Sequence, residues 1–297
     1  GNYNVVVGDE AGTAITTGNN NVAVGKSSLS ANTTGAGNNA LGSSALLSNT
    51  TGATNTALGH TSMNQNTTGS NNVAVGSGSL ANNTTAANNT AVGLSALFAN
   101  TTGAANVAVG SNALDANTTG GYNVGIGDRA LGANTTAGGN VGIGADSMFA
   151  NTTGGSNVAL GADSLKANTT ASNNTAVGKA ALGANTTGTL NVAVGALALD
   201  ANQTGAANTA VGYNALSANT GDGATAVGKD ALELNTTGAN TAVGANSLAT
   251  VTSGTSNVAV GNDALTVNTA SNNTAVGASA LIANTTGDAT TAVGKDS

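Results

Sequence analysis

The carboxylates are the side chains of this sequence best equipped for chemistry, because cysteine is absent and the single histidine is His60. Asp146 and Asp163 hold the same place in two consecutive repeats, within ADSM and ADSL, so we predict a separation of about 5 Å. Such a pair could bind a cation; the simpler interpretation is that both are solvated surface side chains. The other acids are spread along the chain, with only Asp9 and Glu10 adjacent, whereas proton transfer needs a cluster of ionisable groups on neighbouring repeats.

Composition narrows the function classes further. The chain has 13 Asp and Glu against six Lys and Arg, a net charge of -7 and no basic run, so we predict neither nucleic-acid binding nor membrane insertion. The repeated Gly-Gly-x-Gly-x-Asp nonapeptide of calcium-binding solenoids is also missing. We therefore predict no enzymatic activity, no cofactor and no metal site, with His60 simply exposed.

A single repeat organises the sequence. Its marker is the glycine that ends a pentad such as NVAVG, and this glycine recurs every 17 residues, with three intervals of 16. The marker glycines are Gly8, Gly25, Gly42, Gly59, Gly76, Gly93, Gly110, Gly127, Gly144, Gly161, Gly178, Gly195, Gly212, Gly228, Gly244, Gly261, Gly277 and Gly294. We number each repeat from the first residue of its pentad, so that the marker glycine is position 5.

The residues at each position predict the fold. Position 2 is mostly β-branched, position 4 is always aliphatic and position 9 is Leu or Met, all in runs too short for a helix. We predict a strand, a turn, a second short strand and a turn in each repeat, with core columns at positions 4 and 9. Position 3 is Ala or Gly except at Val6, which predicts a close contact there, and position 9 departs from its pattern only at Gly12.

These elements predict an all-β protein, a parallel β-solenoid with one 17-residue repeat per coil and about 17 coils. Coils stacked about 4.8 Å apart would give a rod roughly 80 Å long. We expect a single continuous array over residues 1–297, with a degenerate first coil at 9–18 and an uncapped end at 294–297. The first strand is apolar or small on both faces, so we expect one face to pack inside the coil and the other against a neighbouring chain.

Two residue types are predicted to be structural. Position 5, together with the frequent glycine at position 15, is predicted to turn through backbone angles that other residues avoid. Turn glycines of this kind are Gly25, Gly76, Gly110, Gly144 and Gly178. Asn columns at positions 1 and 12 are predicted to form amide ladders or turn caps, and they include Asn21, Asn72, Asn106, Asn123, Asn157, Asn32, Asn66, Asn117 and Asn151.

The position-12 Asn also begins the tripeptide NTT, an N-glycosylation acceptor motif. Candidate acceptors are Asn100, Asn117 and Asn134. A column with a neighbour every 4.8 Å or so leaves too little room for a glycan on each coil, and turn structure explains the motif as well.

The segments NTAVGYNALSANT (208–220) and NTAVGLSALFANTTG (89–103) resemble the 17-residue arrays of predicted tail-fibre-type proteins of phages and bacteria. More distantly, they resemble the SVAIG units of YadA-like trimeric adhesin heads. The resemblance covers essentially the whole chain and implies a homotrimeric, left-handed parallel β-roll outside the cell or on a virion. The present unit is longer and has an LxANTTG arm that YadA-like units lack.

We therefore expect a non-enzymatic, extracellular fibre or spike shaft, structural or adhesive, at a cell surface or on a virion. Self-association would give a homotrimer or an end-to-end or lateral filament, and a surface receptor or glycan would contact variable positions. Those variable residues include Lys26, His60, Arg129, Tyr213 and Lys229. Two alternatives remain open: an ice-binding β-solenoid that orders water on regular Thr residues, and a glycan-decorated filament subunit.

Overall fold

The computed structural model describes residues 2–297 as an all-β, parallel β-solenoid of about 17 turns with 18 strands. This confirms the predicted fold class. No helix occurs among residues 2–297, and so none of them offers a helical span of membrane length.

The described residues divide into two compact units between Thr153 and Gly154. Unit 1 contains β1 (Val5–Val7), β2 (Val22–Val24), β3 (Asn39–Leu41), β4 (Thr56–Leu58), β5 (Val73–Val75), β6 (Thr90–Val92), β7 (Val107–Val109), β8 (Val124–Ile126) and β9 (Val141–Ile143). Unit 2 contains β10 (Val158–Leu160), β11 (Thr175–Val177), β12 (Val192–Val194), β13 (Thr209–Val211), β14 (Thr225–Val227), β15 (Thr241–Val243), β16 (Val258–Val260), β17 (Thr274–Val276) and β18 (Thr291–Val293). A single array over the whole chain stays a prediction.

Within each unit, consecutive strands pair in parallel and in the register of the repeat. In unit 1, for example, Val107 pairs with Val124 and Ala108 with Gly125. In unit 2, Thr209 pairs with Thr225 across one of the 16-residue intervals. The missing residue is therefore absorbed outside the strands, and the side-chain columns continue unbroken through them.

The strand faces are assigned differently by the structure than by the sequence. Ala108 at position 3 is completely buried, whereas Val107 and Val109 at positions 2 and 4 are half-exposed on the outer side. The prediction that position 4 forms a core column is wrong. Successive side chains of a strand point to opposite faces, so the small residue lies inside and both β-branched residues lie outside.

The core column at position 9 is confirmed. Leu114 and Leu131 are completely buried, as are the equivalent Leu and Met residues of most coils. An ideal Cβ on Gly125, at position 3, would lie 3.2 Å from Cδ1 of Leu114 in the preceding coil. The Leu column therefore fills the space beside the strand, which explains why position 3 accepts only Ala or Gly.

In the first coil the large and the small residue exchange places between positions 3 and 9. Position 3 is Val6 and position 9 is Gly12, and an ideal Cβ on Gly12 would lie 3.1 Å from Cγ2 of Val6. The Cδ1 atom of Ile15 also lies 3.0 Å from that Cβ position, so Val6, which is 44% exposed, and Ile15 together take up the space beside Gly12.

The predicted second strand is wrong, because positions 6–11 form a turn in which the backbone changes hand repeatedly. In the coil 106–122, Asn112 and Leu114 within this turn have φ of 53°. Tyr122, at position 17 outside the turn, is also left-handed, with φ of 60°. The amides of Asn112 and Leu114 point alternately along the coil axis: Asn112 N–H donates to Leu94 O in the preceding coil, and Leu114 N–H to Ala130 O in the next. A left-handed non-glycine residue costs about 1–2 kcal/mol, and the axial hydrogen bonds offset this only when coils are stacked.

Candidate functional site

The interior of each coil is a candidate site because it collects the polar side chains that repeat most strictly. In the coil 106–122, Asn106 and Asn117 are both completely buried. Their Nδ2 atoms converge on one acceptor, the carbonyl oxygen of Gly120, at 2.9 Å and 3.0 Å. A carbonyl oxygen has two lone pairs, so the two amides use its full capacity.

The two Asn columns make different contacts along the axis. At position 12, Asn117 Nδ2 donates to Asn100 Oδ1 at 2.9 Å and Asn117 Oδ1 accepts from Asn134 Nδ2 at 2.9 Å, which is an amide ladder. At position 1, Asn106 Oδ1 instead accepts from the backbone N–H of Asn123 at 2.9 Å. Position 1 thus caps the next strand rather than forming a side-chain ladder.

The other predicted Asn residues follow the same two patterns. At position 1, Asn21, Asn72, Asn123 and Asn157 each donate to the position-15 carbonyl of their own coil, at 2.8–2.9 Å. At position 12, Asn32 Oδ1 accepts from Asn49, Asn66 donates to Asn49, and Asn151 donates to Asn134, at 2.8–2.9 Å. All of these side chains are buried.

Burial overturns the prediction that Asn100, Asn117 and Asn134 are glycan acceptors. All three are completely buried, and their Nδ2 atoms, where an N-linked glycan would attach, each donate two hydrogen bonds inside the coil. A sugar on that nitrogen would require the coil to open. The NTT tripeptide is a structural element of the folded chain, and its first Thr also binds axially: Thr118 Oγ1 donates to Thr135 O at 3.1 Å.

Glycine is required at position 5 and favoured at position 15, for different reasons. The predicted turn glycines Gly25, Gly76, Gly110, Gly144 and Gly178 have φ of 130–136°, a region that other residues avoid. The position-15 glycines do not have positive φ, so that part of the prediction is wrong. The preference for glycine at position 15 has a steric cause, because these glycines lie against the Asn amides. The position also accepts the next smallest residue, at Ala86, Ala137 and Ala171.

The carboxylates singled out by the sequence have cationic partners within their own units. Arg129 Nη2 lies 2.8 Å from Asp146 Oδ1, with the guanidinium 5.3 Å from the Phe149 ring centre, and Lys166 Nζ lies 2.7 Å from Asp163 Oδ1. Among residues 2–297, no three potential metal-ligating side chains come together, and no cavity is found. His60 is exposed, as predicted.

Two half-buried acids are affected by the fold. Burial raises the pKa of Asp115 and of Asp200, both at position 10, above the ordinary value of 3.8, although backbone hydrogen bonds oppose the shift. A raised pKa in the folded state means that folding favours the protonated form. The stabilising contribution is therefore complete below the unfolded pKa and is lost as the pH rises through the folded pKa.

We expect the free energy of unfolding to rise when the pH is lowered from 7 towards 4. The double variant Asp115→Asn, Asp200→Asn should flatten this dependence. Urea unfolding at a series of pH values, followed by circular dichroism, measures the slope. Equal slopes for the wild type and the double variant would contradict the assignment.

The position-12 ladder is interrupted in unit 2. Val251 occupies this position and is completely buried between the coils of Asn235 and Asn268. Asn235 Oδ1 accepts instead from Asn240 Nδ2 at 3.0 Å, so the amide network is redirected within the gap. A further interruption leaves the buried Asn202 Oδ1 without a hydrogen-bond partner.

Restoring the ladder should stabilise unit 2. In Val251→Asn, the new amide can donate to Asn235 Oδ1 and to Gly254 O, as position 12 does in other coils. Each net hydrogen bond is worth about 0.5–1.5 kcal/mol, less the loss of a buried apolar group, so we expect a gain of about 1 kcal/mol. Denaturant unfolding measures this gain, with Val251→Thr as the control that lacks the amide.

Sequence reasoning predicted an outward strand face but assigned the wrong residues to it, because it placed position 4 inside. In unit 1, the outward residues at positions 2 and 4 of β1–β9 form what we call the Val face. In unit 2, those of β10–β18 form the Thr/Val face, with Thr at position 2 in six strands. The strictly small position 3 between two β-branched residues was the signal available, since a narrow interior admits only the small one.

Comparison with known proteins adds no family. No family model matches the chain, and no curated protein is found as a relative.

Proposed function

We propose that this protein is a non-enzymatic, extracellular shaft of a fibre or spike, structural or adhesive, and that it works as a homo-oligomer. The observation that carries the proposal is the hydrogen bonding of the buried Asn side chains in the interior. Buried amides such as Asn106 and Asn117 each form one hydrogen bond within their own coil and at least one to a neighbouring coil, so the repeating groups stabilise the stack of coils. The resemblance to tail-fibre-type arrays and trimeric adhesin heads supports a surface location and a homotrimer.

The variable residues support a shaft over a receptor-binding head. Lys26, Arg129 and Lys229 share no common pattern between coils, and Arg129 and Lys229 bind acids of the same chain. Lys229 Nζ lies 3.0 Å from Asp230 Oδ2, and this hydrogen bond, with the attraction between the charges, raises the pKa of Lys229. Tyr213 occupies the same position as Lys229 in the preceding coil, where its carbonyl accepts from the Asp230 N–H; it is exposed and is the residue we would test first for receptor or glycan contact.

Negative-stain microscopy with sedimentation mass tests the shaft. We expect elongated particles that lengthen by about 4.8 Å for each coil added. The decisive comparison is a chain with four internal coils duplicated, which should be longer by about 20 Å and equal in width. A compact particle whose width grows with the added coils would contradict the proposal.

Ice binding remains a second candidate because of the Thr/Val face. Thr209, Thr225 and Thr241 lie on adjacent strands at position 2 and point outwards beside the aliphatic residues of position 4. On this face a column of hydroxyl groups lies next to a column of methyl groups. The threonines of the NTT tripeptides do not form such a pair of columns. Thermal hysteresis that is lost in Thr225→Lys but retained in Thr237→Lys would favour this function over the shaft.

A further inference from the structure

The Val face is an uncharged, apolar surface on the outside of unit 1. Position 4 is aliphatic in all nine strands, position 2 is Val in six of them, and none of the outward residues is charged. Exposure is 57% at Val7, 47% at Leu41, 40% at Leu58 and 37% at Val73 and at Ile126. These side chains lie on a sheet surface and have no covering element in residues 2–153.

The exposed apolar area of the Val face is close to one partner's share of a protein–protein interface. At about 50 Å² for each half-exposed aliphatic side chain, fifteen of them give roughly 750 Å². The largest apolar patch on a typical monomer is about 300–600 Å². One partner of a standard protein–protein interface contributes about 800 Å². The Val face therefore suffices for a stable dimer contact.

Polar and aromatic residues border the Val face on both sides. Position 17 carries Tyr3 and Tyr122, which are 85% and 77% exposed, and position 6 carries exposed Lys26, His60 and Asp128. An apolar centre with a polar rim containing Tyr is the usual anatomy of an interface.

We propose that the Val face packs against the Val face of a second copy of this chain. This rests on the homo-oligomer of the proposed function, and it specifies a two-fold contact through the Val face in place of the homotrimer that the resemblance implies. A second copy fits because both partners carry the same branched side chains at the same spacing of about 4.8 Å, so the ridges of one sheet match the gaps of the other. The Thr/Val face has six hydroxyls where the Val face has two, and so contributes less.

Sedimentation equilibrium tests the contact with matched charge variants. The variant Leu41→Lys, Val75→Lys, Val109→Lys places three charges on the Val face in alternate coils. The control Thr51→Lys, Thr85→Lys, Thr119→Lys places the same charges in the same coils at the exposed position 14, which belongs neither to the Val face nor to its border. We expect the wild type and the control to associate, and the Val-face variant to sediment at 27.7 kDa with a dissociation constant raised at least 100-fold.

A milder variant covers the case in which the lysines prevent folding. Val73→Thr, Val107→Thr, Val124→Thr keeps β-branching and gives unit 1 the outer chemistry of unit 2; we expect about tenfold weaker association with an unchanged circular dichroism spectrum. Association of the wild type should also weaken on cooling, as apolar contacts do. A wild type that is monomeric at 100 µM, or association that survives both variants, would overturn the inference. Elongated monomers would overturn the Val-face contact and leave the proposal of a shaft intact. Compact particles that associate would overturn the proposal of a shaft alone.

Discussion

Gly110→Ala is expected to lower the free energy of unfolding by at least about 3 kcal/mol. Gly110 has φ of 136°, where a side chain costs about 1–3 kcal/mol in backbone strain alone. An ideal Cβ on it would also overlap the carbonyl group of Gly127 in the next coil, at 2.6 Å from the carbon. That carbonyl belongs to the backbone, and moving it would break the axial hydrogen bonds on either side.

The control for this variant is Gly121→Ala, eleven residues later in the same coil. Gly121 is at position 16, where Ala36 and Ala104 occur naturally, and it does not have positive φ. Guanidinium unfolding followed by circular dichroism should show a large shift for Gly110→Ala and a small one for Gly121→Ala. If Gly110→Ala stayed within 1 kcal/mol of the wild type, the coil spacing would not depend on the glycine column.

The solenoid was predictable because its determinants are periodic. The period of the marker glycines sets one coil per repeat, and a large apolar residue at position 9 of every coil after the first has to be inside. Leu114 is therefore correctly placed by its type and spacing. The left-handed backbone of the same Leu114 was not predictable, because leucine has no preference for it and only the axial hydrogen bonds select it.

The orientation of the strand was predicted wrongly for a physical reason. Val109 is the more hydrophobic residue, so a sequence argument buries it and leaves Ala108 at a contact. In the folded coil, Leu114 and its equivalents already fill the interior from the opposite side, and only the small side chain fits between. Hydrophobicity ranks residues one at a time, whereas the available volume depends on the residue across the coil.

The NTT motif shows a similar limit. Its residues satisfy a glycosylation sequon, and Asn117 was a candidate both as an acceptor and as a ladder residue. Its burial depends on whether its amide finds partners at position 15 of its own coil and at position 12 of the stacked coils, and the position-12 partners lie 17 residues away in sequence.

Asn117→Asp is expected to lower the free energy of unfolding by roughly 3–5 kcal/mol at pH 7, the usual result of an uncompensated buried charge. The change preserves the shape of the side chain. Asn117 Nδ2 donates to Asn100 Oδ1 and to Gly120 O, at 2.9 Å and 3.0 Å. A carboxylate oxygen in its place would face two acceptors with no proton to share.

Acidification distinguishes this cause from a loss of packing. The protonated carboxyl group of the Asn117→Asp variant can donate one of the two lost hydrogen bonds, so part of the stability should return between pH 7 and pH 4. Asn117→Val, which copies the natural Val251, should cost less at pH 7 and show no such recovery. The control Asn112→Asp lies at position 7, where Asp146 and Asp230 occur naturally, and should change stability by less than about 0.5 kcal/mol, as surface substitutions usually do. If Asn117→Asp were equally mild, the ladder could not be the interaction that holds the coils in register, and the axial backbone hydrogen bonds would have to do so alone.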